Sequence, residues 1–198
     1  MDIWIQSVKS REQSVQSILK RIDAKVYVDK ELKGCFNSFS YMLQNCYAEN
    51  EHIIHLQDDI VPLKGLQEYI PSMISEMEAR DIPVLSLFTP QRKAFTMHYK
   101  VMQAENIKTA IVPFPNFLWM QAVIFSPNAI RGLRNHLQIS SQTKYDDVFV
   151  AEYLKFTKQE AYVHIPSLVQ HNINLKSTLG HRASKNRMSN CYKNDFLK

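Results

Sequence analysis

Hydrophobic and polar positions change period several times in the first sixty residues. "DIWIQSV" is a short apolar segment rich in β-branched and aromatic residues, which predicts a strand. In "SREQSVQSILKRI" the apolar residues Val15, Ile18, Leu19 and Ile22 follow the i, i+3, i+4, i+7 spacing of one helix face. "AKVYVD" predicts a second strand. "CFNSFSYMLQNCYAEN" then places Phe36, Phe39, Met42, Leu43 and Cys46 at near-helical spacing, and "EHIIHLQDD" predicts a third strand. Such alternation predicts an α/β fold, a mostly parallel central sheet flanked by helices. Ligands of these sheets gather outside the carboxyl ends of the strands. Here those ends supply Ser7 to Arg11, then Asp29, then Gln57, Asp58 and Asp59.

The second half is less regular. "LKGLQEYIPSMISEMEAR" predicts a helix interrupted at Pro71, and "IPVLSLFTP" a further strand. The polar and aromatic stretch "RKAFTMHYKVMQAENIKTAIVPFPN" reads as β-ribbons or loops, and "FLWMQAVIFSP" as a strand. "SPNAIRGLRNHL" opens a helix with Ser126 as N-cap and Pro127 at its first position. "YDDVFVAEYLKFT" predicts an amphipathic helix with an acidic first turn, followed by one strand, "AYVHIPSLVQH". No internal repeat and no linker rich in Pro, Gly or Ser divides the chain, so a single domain is expected.

Composition narrows the class. With 198 residues, 45% hydrophobic, 22% charged and four glycines, the chain can build a substantial core and is not of disordered type. No apolar run approaches the ~20 residues that span a bilayer, and "MDIWIQSVKSR" lacks the long apolar region of a signal peptide. Cys35, Cys46 and Cys191 are odd in number and lack metal-ligand spacing, so free thiols in a reducing cytoplasm are expected. The net charge is +5, and from His181 onward five Lys or Arg stand against one Asp. Such a tail is either a solvated end or a contact for a polyanion such as nucleic acid.

The chemistry-bearing residues fall in three stretches. In "HIIHLQDDIVP" an apolar strand runs into Asp58-Asp59, two adjacent carboxylates whose repulsion and desolvation need a positive partner. A hard divalent cation, Mg²⁺ or Mn²⁺, that also holds substrate phosphate oxygens meets that need. The plain alternative is an exposed turn with a helix cap. In "TKYDDVFVAEYL" Asp146-Asp147 open a helix, where acids suit the dipole and where one carboxylate can also serve as a general base. Glu152 lies further along the same helix. In "IPSLVQHNINLKSTLGH", His171 is a possible ligand for a Mn²⁺-like metal, and Lys176 with Ser177 and Thr178 can neutralise a diphosphate.

Together, "HIIHLQDDIVP", "YDDVFVAEYL" and "IPSLVQHNINLKSTLGH" resemble the GT-A fold glycosyltransferases, and among them the N-acetylglucosaminyltransferase IV group. That group carries an acid-Asp-Asp strand end followed by Ile-Val, and a late Pro-Ser-Leu-x-Gln-His stretch matched here by Pro166, Ser167, Leu168, Gln170 and His171. The resemblance implies a single GT-A-like, Rossmann-like domain over 1–198. Its parts would be a nucleotide-sugar-binding half (1–62), an acceptor half with a metal-binding loop (63–181) and a basic tail (182–198). It implies a nucleotide-sugar donor, a UDP-sugar before others, and a divalent metal held by Asp59 and His171. Ser7, Arg11, Asp29, Asn37, Asp58, Lys176 and Ser177 would bind the donor. In an inverting reaction Asp147 or Asp146 would deprotonate the acceptor hydroxyl.

The first motif position is Gln57 rather than an acid, which departs from the pattern. The chain is small, no membrane anchor is expected, and its size is that found in bacteria or bacteriophages. The preferred acceptor is therefore a hydroxylated pyrimidine in phage DNA, with Phe114, Phe117 and Trp119 as a candidate base pocket in the host cytoplasm. A polysaccharide or protein acceptor is the alternative. Two other classes compete: a non-enzymatic nucleic-acid-binding protein and a metal-dependent nuclease.

Overall fold

A computed structural model describes residues 1–115, 117, 119–140, 145–175 and 188–192. The first half follows the periodicities. Strand β1 (Asp2–Val8) leads through a 3-10 turn (Lys9–Arg11) into α1 (Glu12–Leu19), which buries Val15 and Ile18. Next come β2 (Lys25–Asp29), α2 (Cys35–Asn45) and β3 (Ile53–Gln57), the last buried at four of its five positions. After a turn at Asp58-Asp59, the chain forms β4 (Ile60–Pro62) and α3 (Leu66–Ala79).

The second half adds β5 (Val84–Ser86), α4 (Lys93–Ala104), β6 (Ala110–Pro113) and β7 (Ala122–Phe125). It closes with α5 (Pro127–Ile139), α6 (Asp146–Thr157), β8 (Ala161–Ile165) and β9 (Val169–His171). Helix α5 starts as expected: the Ser126 side chain accepts from Ala129 N–H and Pro127 takes the first position, where its missing donor costs nothing.

Seven strands form one sheet in the order β2-β1-β3-β7-β5-β8-β6. The pairs β1/β2, β1/β3 and β5/β8 are parallel, while β7 and β6 run against their neighbours. Five of the seven strands therefore share one direction, and the sheet is mixed but mostly parallel, as the alternation predicts. Helices cover both faces. One core joins α1 and α3 to Ile3, Ile5, Ile54, Leu56 and Ile124. The other joins α2, α4, α5 and α6 to Ile53, Val123, Phe125 and Val163. Because adjacent strand residues feed opposite cores, one sheet ties both layers together.

Three readings of the second half need correction. Lys93–Ala104 is a helix rather than ribbon or loop. Phe95, Tyr99 and Met102 supply an i, i+4, i+7 stripe against the core, diluted in the sequence by interleaved Lys and His. Helix α3 runs through Pro71 without interruption. Pro71 lies on the solvent side, and burial of Leu66, Ile70, Met73 and Met77 holds the helix despite one lost backbone bond. "AYVHIPSLVQH" is two strands in two sheets. β8 pairs with β5 and β6, whereas β9 turns away to pair antiparallel with β4.

Candidate active site

The carboxyl ends of β1, β2 and β3 and the N-termini of α2 and α6 surround a cleft of about 480 Å³. It opens where the chain order reverses, with β2 on one side of β1 and β3 on the other. That is the switch point at which parallel sheets bind ligands. Ser7, Arg11, Asp29, Asp58, Asp59, Asp146 and Asp147 all line it.

Asp58 is locked between the first and third strands. Its Oδ2 accepts from the Ser7 hydroxyl at 2.8 Å and from Val8 N–H at 3.2 Å, and the Ser14 hydroxyl donates to its backbone carbonyl. Burial pushes the Asp58 carboxyl up from its usual range; the Ser7 hydroxyl pulls it down, Asp59 pushes it up and Arg11 pulls it down. Arg11 is itself buried at 7% exposure, so a guanidinium stands in the cleft wall.

Asp59 meets His171 because β4 and β9 pair. Their register sets Ile60 opposite His171, and Asn172 N–H donates to the Asp59 carbonyl at 2.7 Å. His171 Nε2 lies 3.2 Å from Asp59 Oδ2, within ion-pair range, while both ring nitrogens of His171 and Oδ1 of Asp59 are buried without a hydrogen-bond partner. A carboxylate and an imidazole brought together without a hydrogen bond fit a cation between them. They are two donors. Among the described residues no group of three or more His, Cys, Asp or Glu side chains is placed to hold a metal. His55, in the same sequence motif, differs: it pairs with the Tyr47 hydroxyl at 2.6 Å, and burial pushes it down to about 3. It is a neutral core histidine.

The second acidic pair enters from α6. Asp146 is 4% exposed; Oδ1 accepts from Asp147 N–H at 3.0 Å and Oδ2 from the Gln57 amide at 3.2 Å. Burial, and next the neighbouring Asp147, push its carboxyl up to about 7. Asp147 is less enclosed, and burial raises it too. Its Oδ1 accepts from Val148 N–H at 2.8 Å. Gln57 therefore links the two acidic motifs. An acid at that position would add a carboxylate against Asp146, whereas the amide donates to it. Cys35 also lines the cleft, but burial pushes its thiol up to about 11, leaving it protonated. None of the three cysteines is in a disulfide.

The remaining expected residues divide. Asp29 lines the cleft, yet its carboxylate is engaged by Glu31 N–H, Gly34 N–H and the Ser38 hydroxyl, tying β2 to the start of α2. Asn37 faces solvent outside the cleft and donates to the Lys33 carbonyl. Glu152 lines a separate shallow depression with His136 and Lys155. Lys176 and Ser177 lie outside the described residues. Phe114 and Phe117 are core residues at 1% and 2% exposure, so of the three candidate aromatics only Trp119 reaches the cleft. Of the basic tail, 188–192 are described; Cys191 is buried and Ser167 N–H donates to its carbonyl, so this part packs on the domain. Sequence reading missed Gln6, Ser38, Gln121 and Tyr145 in the lining. No motif marks them: strand register places Gln6 and Gln121 there, and the N-terminal ends of α2 and α6 bring Ser38 and Tyr145.

No protein-family profile matches the chain, and no curated protein matches its sequence. Among solved structures it is similar to A197 from STIV, with 9% identity and a TM-score of 0.49 over 86% of this chain and 84% of that one. It is also similar to 4-diphosphocytidyl-2C-methyl-D-erythritol synthase from Anaerococcus prevotii, with 10% identity and a TM-score of 0.46 over 99% and 75%. Mouse xyloside xylosyltransferase 1 gives 11% identity and a TM-score of 0.36 over 81% and 76%.

Proposed function

We propose that the chain is a metal-dependent glycosyltransferase that moves a sugar from a nucleotide-sugar donor to an acceptor hydroxyl. The observation that carries this reading is the convergence of Asp58, Asp59 and the Asp146–Asp147 pair in one cleft at the sheet switch point, with His171 of β9 set against Asp59 from behind the lining. Asp59 and His171 would hold a Mn²⁺ or Mg²⁺ ion, whose remaining positions suit phosphate oxygens and water. Bound there, the metal supplies a counter-charge for the diphosphate leaving group. Arg11 adds a fixed positive charge in the same wall, and Ser7 with Val8 N–H keeps Asp58 oriented.

For the acceptor, Asp147 is the base of this reading. It is the more open of the two acids, and its hydrogen bond to Val148 N–H uses Oδ1, leaving Oδ2 to take a proton from a hydroxyl. Asp146 positions it through its bond to Asp147 N–H. DNA remains the acceptor of this reading on the +5 net charge, without an aromatic pocket of three rings. DNA affinity should fall steeply between 50 and 200 mM salt, and an affinity indifferent to salt removes DNA from the reading.

The class is tested by thermal shift with nucleoside diphosphates and nucleotide sugars, each with and without Mn²⁺. A shift that needs both metal and nucleotide is expected, together with its loss in Asp59→Asn. Asp147→Asn should keep the shift and lose turnover by about 10²-fold or more. Binding of no nucleotide under any condition rejects the reading.

A further inference from the structure

Three glutamines form a row across the floor of the cleft. Gln6 of β1 and Gln57 of β3 are register partners, and Gln57 N–H donates at 2.9 Å to the carbonyl of Gln121, just ahead of β7. Strand alternation sets all three on the face that also carries Trp4, His55 and Val123, beneath α2, α5 and α6. All three line the cleft.

Their hydrogen bonding is uneven. Gln57 is committed to Asp146. Gln6 uses its amide N–H on the Cys35 carbonyl at 3.1 Å, but its Oε1 is buried without a partner. Oε1 of Gln121 is buried and unpartnered as well, and these two residues are only 9% and 7% exposed. Trp119, two positions before Gln121, also lines the cleft, and its indole N–H is a third buried polar group without a partner. Buried polar groups in folded proteins are ordinarily satisfied, so three orphans in one cleft point to a ligand that satisfies them.

The chemistry of the three selects the ligand. Two carbonyl oxygens accept hydrogen bonds and repel phosphate oxygens, so they do not serve the diphosphate. A hydroxyl both donates and accepts, and therefore answers both the carboxamides and the indole. Strands β1 and β7 flank β3, so Gln6 and Gln121 stand two strand spacings apart, ~9–10 Å, with Gln57 between them, and a ring spanning the two would lie over Gln57. We propose that Gln6, Gln121 and Trp119 form a neutral hydrogen-bonding subsite for the polyhydroxylated ring of the donor, that is, for the sugar being transferred. The proposal rests on the nucleotide-sugar reading above and adds to it the residues that tell the sugar from the bare nucleotide.

Calorimetric titration separates the two. Uridine, thymidine and guanosine diphosphates and their glucose and N-acetylglucosamine conjugates are titrated with Mn²⁺ into the wild type, Gln121→Leu and Gln6→Met. Gln121→Leu removes an unpaired buried carbonyl, so the melting temperature of the free protein should hold or rise. Its affinity for the sugar conjugate should fall about 2- to 12-fold for one lost neutral hydrogen bond, with nucleoside diphosphate binding unchanged. Gln6→Met should show the same selective loss. Equal loss for conjugate and diphosphate assigns the row to the nucleotide and overturns the proposal, as does a lowered melting temperature with unaltered affinities. If the wild type binds diphosphates but its affinity gains nothing from the sugar, this subsite alone is rejected. If it binds none of the probes, the donor reading falls and the subsite with it.

Discussion

Asp146 carries the most perturbed carboxylate of the cleft, and its environment fixes a sign. Its folded-state value of about 7 stands well above the 3.8 of an ordinary aspartate. Between these values the unfolded chain is ionised while the folded one keeps its proton. Folding therefore takes up a proton, and stability falls as pH rises through that window. Below pH ~4 both states are protonated and the penalty vanishes. Above pH ~7 it is fully present, with an upper bound of roughly 4 kcal/mol at ~1.4 kcal/mol per unit. Asp146→Asn cannot ionise, so it should be more stable than the wild type at pH 8 and lose that advantage near pH 4. Urea melts at the two pH values check this, and an equal difference at both would refute it. The same contact explains Gln57. Gln57→Glu would set an acid against Asp146 and should lower stability above pH 7 further.

Between elements, the close approach of α5 to α6 sets where the acidic first turn sits. Gly132 lies in α5 against Tyr153 of α6, and a Cβ there would stand 2.7 Å from the tyrosine Cζ. Tyr153 is 4% exposed, so the ring has no free direction in which to withdraw. Alanine gains roughly 1 kcal/mol of helix propensity over glycine, while overpacking costs about 1–3 kcal/mol. Gly132→Ala should therefore destabilise or at best break even, and should lower turnover because α6 carries Asp146 and Asp147. A clear stabilisation with full activity would show that α6 is not pinned there. The short β4/β9 ribbon acts similarly on the other acidic motif. Three register pairs deliver His171 to Asp59.

Across the whole molecule, both cores share one sheet, since alternate residues of β3 and β7 feed opposite layers. Neither layer can lose its helices without exposing the other's strands. The protein should unfold in one cooperative transition seen identically by fluorescence and circular dichroism. Divergent curves would mean that the layers melt separately. Among the described residues no helix is long and apolar enough to cross a membrane.

Much of the fold was legible in the chain. The first three strands and two helices, the Ser126 cap and the acidic start of α6 follow from local periodicity and end chemistry, which act between near neighbours. The α4 stripe was present but diluted, and the division of "AYVHIPSLVQH" had no local cue. Of the candidate site, the sequence marked residues that the structure gathers in one place: Ser7, Arg11, Asp58, Asp59, Asp146 and Asp147 in the cleft lining, and His171 against Asp59. It did not determine who meets whom. Asp59 finds His171 because β4 chooses β9; Gln57 finds Asp146 because α6 starts above the end of β3; Gln6 and Gln121 share a floor because β1 and β7 both flank β3. Strand order and register decide those contacts, and they are set by how the two cores close over one sheet, not by residues adjacent in the chain.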